Sequence, residues 1–269
     1  MWNIVRSEWL KVRRCQILLV GIVALALSPV VQYGNQLIVE PEYRDANFNF
    51  AHLFSSVIWG NSQIFLPISL VMIGGWFIDR ESANDTLKNI VTVPVPMSRL
   101  LGAKLLVTFL LALLFGVYSV FVTLLTGAIA GLPGLTLNLI LANGAQVVAA
   151  ALTTYLVCMP MILFFGQIRG AYLGGSILTF FLGYSMLFFK SGILLSAYPF
   201  SAALILVGFD MAEYNSATSS PNYLLAVAGL GFMLLVTAVL LKRSNKKQEM
   251  PVHYTKKVKG RRGTVRIRH

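Results

Sequence analysis

Acidic residues are scarce in this chain: ten Asp and Glu stand against 22 Lys and Arg, and charged residues of either sign fill only 12% of its 269 positions. Soluble domains carry about a quarter charged residues, so a surface that faces water on all sides is excluded. Cysteine is limited to Cys15 and Cys158, which suggest no disulfide framework. The histidines, His52, His253 and His269, are scattered, with no cysteine or carboxylate near them at ligand spacing, so no metal site is expected. No Gly-x-x-x-x-Gly-Lys-Ser/Thr loop is present to cradle nucleotide phosphates. A Gly-x-Ser-x-Gly elbow and a His-Glu-x-x-His pair are also missing, so catalysis, ATP hydrolysis included, is not expected of this chain.

What fills the space is apolar: 57% of residues are hydrophobic and the mean hydropathy is +0.73. A transmembrane helix needs about 20 mostly apolar residues, because its backbone polar groups must pair within the segment. The sequence predicts an all-α polytopic membrane domain over residues 1–241 with six spans: Ile17–Leu37, Val57–Ile78, Leu105–Ala130, Leu139–Phe165, Ala171–Phe189 and Tyr223–Leu241. The first is expected to remain as an anchor, since no Ala-x-Ala type of cleavage pattern follows it.

Basic residues gather on cytoplasmic flanks. Arg6, Lys11, Arg13 and Arg14, then Arg80, Lys88, Arg99 and Lys104, then Arg169, all fall on one side of this arrangement. The basic tail, residues 242–269, joins them, so both termini are expected in the cytoplasm of a cell whose plasma membrane the chain crosses. The tail is polar and without helical period, and is expected to be disordered near anionic lipid headgroups. The net charge of +12 is explained by this topology, and no nucleic-acid partner is expected. Ser191–Phe209 is uncharged too, but Pro199 interrupts it. It is expected to form a re-entrant or interfacial helical pair on the outer side.

Within the spans, the ionisable carboxylate that an ion-driven carrier needs is missing. Gln146, Thr153 and Thr154 are candidates for the lining of a translocation path, although such groups more commonly bond between helices. In the N-terminal MWNIVRSEWLKVRR, Trp2, Val5, Trp9 and Val12 fall on one helical face, with Asn3, Ser7, Lys11 and Arg14 opposite. That pattern predicts a helix lying in the membrane interface. Its candidate contact residues are Trp2, Val5, Glu8, Trp9, Lys11 and Arg14.

Between the second and third spans lies DRESANDTLKNIVTVPVPMSRLLGAK, Asp79 to Lys104, too polar to cross. It predicts a short helix, a return stiffened by Pro94 and Pro96, and Ser98 as the N-cap of the next helix. The order Glu81, Asn84, Thr86, Leu87, Lys88, Pro96, Ser98, Arg99, Gly102, Lys104 resembles the first cytoplasmic loop of type-2 ABC transporter permeases. Ser7 to Arg14 is similar to that family's N-terminal Glu-x-x-Lys-x-x-Arg pattern. Asp85 stands where the family has glycine, and aspartate tolerates a left-handed turn better than most residues.

The resemblance implies that Glu81, Asn84, Asp85, Thr86, Leu87 and Lys88 form a coupling helix docking on a separate ABC ATP-binding subunit. That subunit holds the ATP and Mg; none is held here. It also implies a second permease copy or a related permease, and a resemblance to bacteriocin-immunity and bacitracin-resistance permeases, which extrude amphipathic peptides or lipid-associated molecules. The alternative is a membrane scaffold or sensor that recruits a cytoplasmic partner through the same loop and tail, without transport.

Overall fold

A computed structural model describes residues 2–12, 15–40, 42, 47–83, 96–215 and 220–249. All regular structure among them is helical. Helix α1 (Trp2–Val12) precedes α2 (Leu18–Ile38). Helix α3 (Phe50–Gly60) runs through a π turn, Asn61–Phe65, into α4 (Leu66–Ala83). Then come α5 (Met97–Ile129), α6 (Leu137–Gly166) and α7 (Tyr172–Tyr184), which tightens into a 3₁₀ turn at Ser185–Phe188. The short α8 (Gly192–Ala197), α9 (Pro199–Leu206) and α10 (Ala212–Asn215) lead to α11 (Tyr223–Glu249).

Five stretches among the described residues are long and apolar enough to cross a membrane: Leu18–Ile38, Phe50–Arg80, Met97–Ile129, Leu137–Gly166 and Tyr223–Ser244. The fifth span expected from sequence, Ala171–Phe189, corresponds to the apolar but shorter Tyr172–Phe188. At 1.5 Å per residue this element rises about 25 Å, against about 30 Å of hydrocarbon. The second span starts two turns earlier than expected, at Phe50, because Asn49 caps it by accepting from the backbone N–H of Ala51 at 2.9 Å and of His52 at 3.2 Å. Helix α5 likewise starts at Met97, with Pro96 as its N-cap. Ser98 therefore lies inside the first turn and does not cap it: the Pro96 carbonyl is already held by the N–H groups of Arg99 and Leu100.

The stretch Phe50–Arg80 is the axis of the bundle and is mostly buried, whereas Leu18–Ile38 and Tyr223–Ser244 are mostly exposed. Leu53, Phe54, Val57, Leu70 and Val71 on the axis are wholly covered by protein. Small residues set how closely neighbours approach it. A Cβ on Gly74 would lie 2.9 Å from Ile162, one on Gly166 would lie 2.8 Å from Ile78, and one on Gly75 would lie 2.8 Å from Tyr172. A Cβ on Gly183 would overlap the carbonyl oxygen of Gln63, so α7 crosses the π turn backbone to backbone.

Gly192–Leu206 breaks at Tyr198, whose backbone is extended, and Pro199 is the first residue of α9, where its missing N–H costs nothing. Phe200, Ala202, Leu204 and Ile205 are buried, so the α8–α9 pair packs into the bundle. The Tyr198 hydroxyl donates to the Leu182 carbonyl at 2.5 Å, and Trp59 stacks on Tyr214 with ring centroids 5.2 Å apart, fastening this region to α7 and α3.

Candidate functional site

The segment 84–95 lies outside the described residues, and with it Asn84, Asp85, Thr86, Leu87 and Lys88. Glu81 is in the last turn of α4. What is described is the pair of roots from which that segment leaves and to which it returns, α4 and α5. Both are held by buried charge.

Lys104 sits two turns inside α5, in an otherwise apolar run, and is 4% exposed. Its ammonium donates to the Phe77 carbonyl of α4 at 2.6 Å and to Glu8 Oε2 of α1 at 3.1 Å. One side chain thus joins three helices. Glu8, itself 5% exposed, also pairs through Oε1 with Lys11 at 2.5 Å. Burial pushes the Glu8 carboxyl up, but Lys104 and Lys11 outweigh it and hold the group below its ordinary carboxylate value. The ionised form is the one that is kept.

Asp79, one turn before the end of α4, is buried, and its Oδ1 accepts the N–H of Gly170 at 3.1 Å. Gly170 has φ +71, a left-handed conformation that glycine adopts freely, and this turns the α6–α7 link so that its amide faces the carboxylate. Arg80 lies over the Trp76 ring at 5.3 Å and donates to Cys15 Sγ at 3.2 Å. Cys15 in turn donates to the Lys11 carbonyl at 3.0 Å. The root of the polar segment is therefore tied to α1, to α5 and to the α6–α7 link.

In α1 the inward face carries Val5, Glu8 and Val12, with Trp9 half-buried beside it; Arg6, Ser7, Leu10 and Lys11 are exposed. Trp2 belongs to the helix and Arg14 lies outside the described residues. The apolar face expected from Val5 and Val12 is covered by protein, α5 above all.

The three path candidates separate. Gln146 donates to the Val207 carbonyl at 3.2 Å, and Thr153 folds back on the Ala149 and Ala150 carbonyls of its own helix. Thr154 is wholly buried, and its hydroxyl has no protein partner. Among the described residues no group of three His, Cys, Asp or Glu stands close enough to hold a metal.

Sequence reasoning left Asp79 and Lys104 out of the site, and placed Glu8 there only as a membrane-interface residue. The signal was available in part: a lone lysine inside an apolar helix demands a counter-charge, and Glu8 is the only acid among the first 39 residues. The run Asn61-Ser62-Gln63 likewise sets three consecutive polar residues in an apolar span.

Compared with protein-family models, residues 4–186 match the one described as ABC-2 family transporter protein. None of the curated proteins matches the chain.

Proposed function

The chain belongs to the ABC-2 transporter family, and on that premise we propose that it is the membrane subunit of an ATP-driven exporter, moving an amphipathic peptide antibiotic or another lipid-associated molecule outward. ABC-2 permeases are multi-pass membrane components, not themselves catalytic, that normally work with an ATP-binding subunit. The observation that carries the reading further is the Lys104 bridge between Glu8, the Phe77 carbonyl and α5. A lever transmits force only if its roots are fixed, and this bridge fixes both roots of the 84–95 segment to each other and to α1.

In this reading residues 81–88 dock on the ATP-binding subunit, with ATP and Mg held there. Movement of that subunit pulls on α4 and α5 together. The site chemistry on this chain is binding and positioning only. Tyr172–Phe188 completes a sixth crossing by thinning the bilayer locally, which a short apolar helix does at modest cost. An even number of crossings keeps both termini, and the basic tail, on the cytoplasmic side. The exposed apolar faces of α2 (Leu19, Val23, Leu27) and α11 (Leu224, Val227, Leu235) support contact with lipid and with a second permease.

The test is purification of the chain from its native membranes in mild detergent, followed by identification and ATPase assay of what accompanies it. A near-stoichiometric ATPase that is lost on Glu81→Ala combined with Thr86→Ala, with insertion intact, is the expected result. A folded, inserted preparation without ATPase would turn the assignment toward the scaffold that recruits a cytoplasmic partner.

A further inference from the structure

Contacts along the axis fix the heights of its neighbours. Helix α6 runs parallel to α4, with Ile162 beside Gly74 and Gly166 beside Ile78; the same offset sets Thr154 level with Leu66. Helix α7 runs antiparallel, with Tyr172 beside Gly75 and Gly183 beside Gln63, which sets Thr179 level with Pro67. Helix α2 has Gly21 beside Ile73 and Gln32 beside Gly60, which sets Ser28 level with Phe65. On α5, Ser119 accepts a hydrogen bond from Asn61 Nδ2 at 2.8 Å. A single layer about 12 Å thick, from Asn61 to Ser69, therefore gathers polar side chains from all five helices.

Six atoms in this layer are buried and have no hydrogen-bond partner in the protein: Ser28 Oγ, Asn61 Oδ1, Ser62 Oγ, Gln63 Nε2, Ser69 Oγ and Thr154 Oγ1. Each of these residues is at most 4% exposed. The layer surrounds the π turn, where the backbone ladder of the most buried span shifts to i→i+5 bonds, the Leu66 N–H reaching the Asn61 carbonyl. Left dry, each atom loses its hydration with nothing in return, and six together weigh against the whole net stability of a domain. Buried polar atoms at one level of a bundle need hydrogen-bonding occupants beside them.

We propose that this mid-bundle layer is a binding site for ordered water, held by polar side chains drawn from Ser28, Asn61, Ser62, Gln63, Ser69 and Thr154. The donors and acceptors are all neutral, and no Asp, Glu, Lys or Arg lies between Asn61 and Ser69 or at the levels of Ser28, Ser119, Thr154 and Thr179. An ion would find no counter-charge there, whereas a water bonds with two to four polar groups, which such a layer supplies. Contacts bridged by water also exchange partners readily, so the axis gains a place to bend between its outer half, α3, and the inner half that carries the polar segment.

Hydroxyl-radical footprinting by X-ray radiolysis of water, on the full chain in its native membranes, tests this. Radicals born from bound water mark the side chains next to it. Leu66, 2% exposed and level with Thr154, should be oxidised several-fold faster than Leu53, Leu101 and Leu163, leucines that are as fully buried but lie elsewhere. Equal rates at all four would overturn the proposal. The pair Ser62→Ala with Thr154→Val should abolish the excess at Leu66, and an excess that persists in the inserted variant would overturn the assignment to these residues. Should that pair not insert, Gln63→Met replaces it with the same expectation, and the wild-type comparison decides by itself.

Discussion

The basic end of the bundle and its mid-depth layer bury polar side chains to the same degree, but they satisfy them in opposite ways. At the basic end Glu8, Asp79 and Lys104 are charged, and each meets a partner on another element: Glu8 and Lys104 on other helices, Asp79 on the α6–α7 link. At mid-depth Ser28, Ser62, Gln63, Ser69 and Thr154 are neutral, and the atoms at issue meet no protein group. An unpaired buried charge costs several kcal/mol, an unpaired hydroxyl about 1–3. Fixed geometry is thus found where failure costs most, at the roots of the 84–95 segment, and the cheaper unpaired groups lie at mid-depth.

Substitutions that remove one partner of the charged end should break this contrast most strongly. Glu8→Ala strands the buried Lys104 charge and is expected to lower stability by about 3–5 kcal/mol; Lys104→Met leaves Glu8 its Lys11 partner and should cost less, and Glu8→Leu combined with Lys104→Met recovers most of the Glu8→Ala loss. Thermal unfolding midpoints of the three variants in lipid nanodiscs check this; a double variant no better than the singles would mean that the ion pair is not the cause. The same pair gives a pH dependence. Because Glu8 is held below its ordinary value, its contribution is complete above that value and is lost as pH falls through its lowered folded value. Acid unfolding followed by tryptophan fluorescence should therefore show a wild-type step, below the ordinary carboxylate range, that Glu8→Gln lacks.

Close backbone approach is the next largest effect. Gly183→Ala drives a methyl into the Gln63 carbonyl and is expected to cost about 1–3 kcal/mol, with a lower yield of folded protein on size-exclusion chromatography. Gly174→Ala, where nothing lies within 4 Å, serves as the matched control and should fold as wild type. Asp79→Asn keeps an acceptor but loses its charge, so the bond to Gly170 weakens by about 1 kcal/mol. Amide exchange at Gly170 should quicken accordingly, and an unchanged rate would show that the charge adds nothing.

Smallest of all should be Ser62→Ala, which removes a hydroxyl with no protein partner and is expected to shift stability by less than about 0.5 kcal/mol. A loss approaching that of Glu8→Ala would mean that the two regions do not differ in the way the geometry indicates.

The helical class and the long apolar stretches were legible because helix length and hydropathy are local properties. The break at Tyr198–Pro199 was legible for the same reason, although its packing into the bundle was not. Ends were less so: the backbone at Pro96 sets the start of α5 and overrode the capping expected of Ser98, and the Asn49 side chain sets the start of α3. Of the site, Glu81 can be placed in α4 and Glu8 in the charged cluster, while 84–88 lie outside the described residues. Among the path candidates only Thr154 keeps a free hydroxyl, a distinction invisible without knowing that Val207 faces Gln146 and that Thr153 bonds to its own helix.

By itself the sequence determined that this chain is an all-helical membrane protein of permease pattern, since each helix must be apolar enough for lipid along its own length and the loop residues are contiguous. Only the tertiary structure decided that Lys104 answers Glu8 across 96 positions and that five helices level their polar groups around Asn61–Gln63. Those are facts of packing, set by where glycines let helices approach, and no local signal encodes the height at which two distant helices meet.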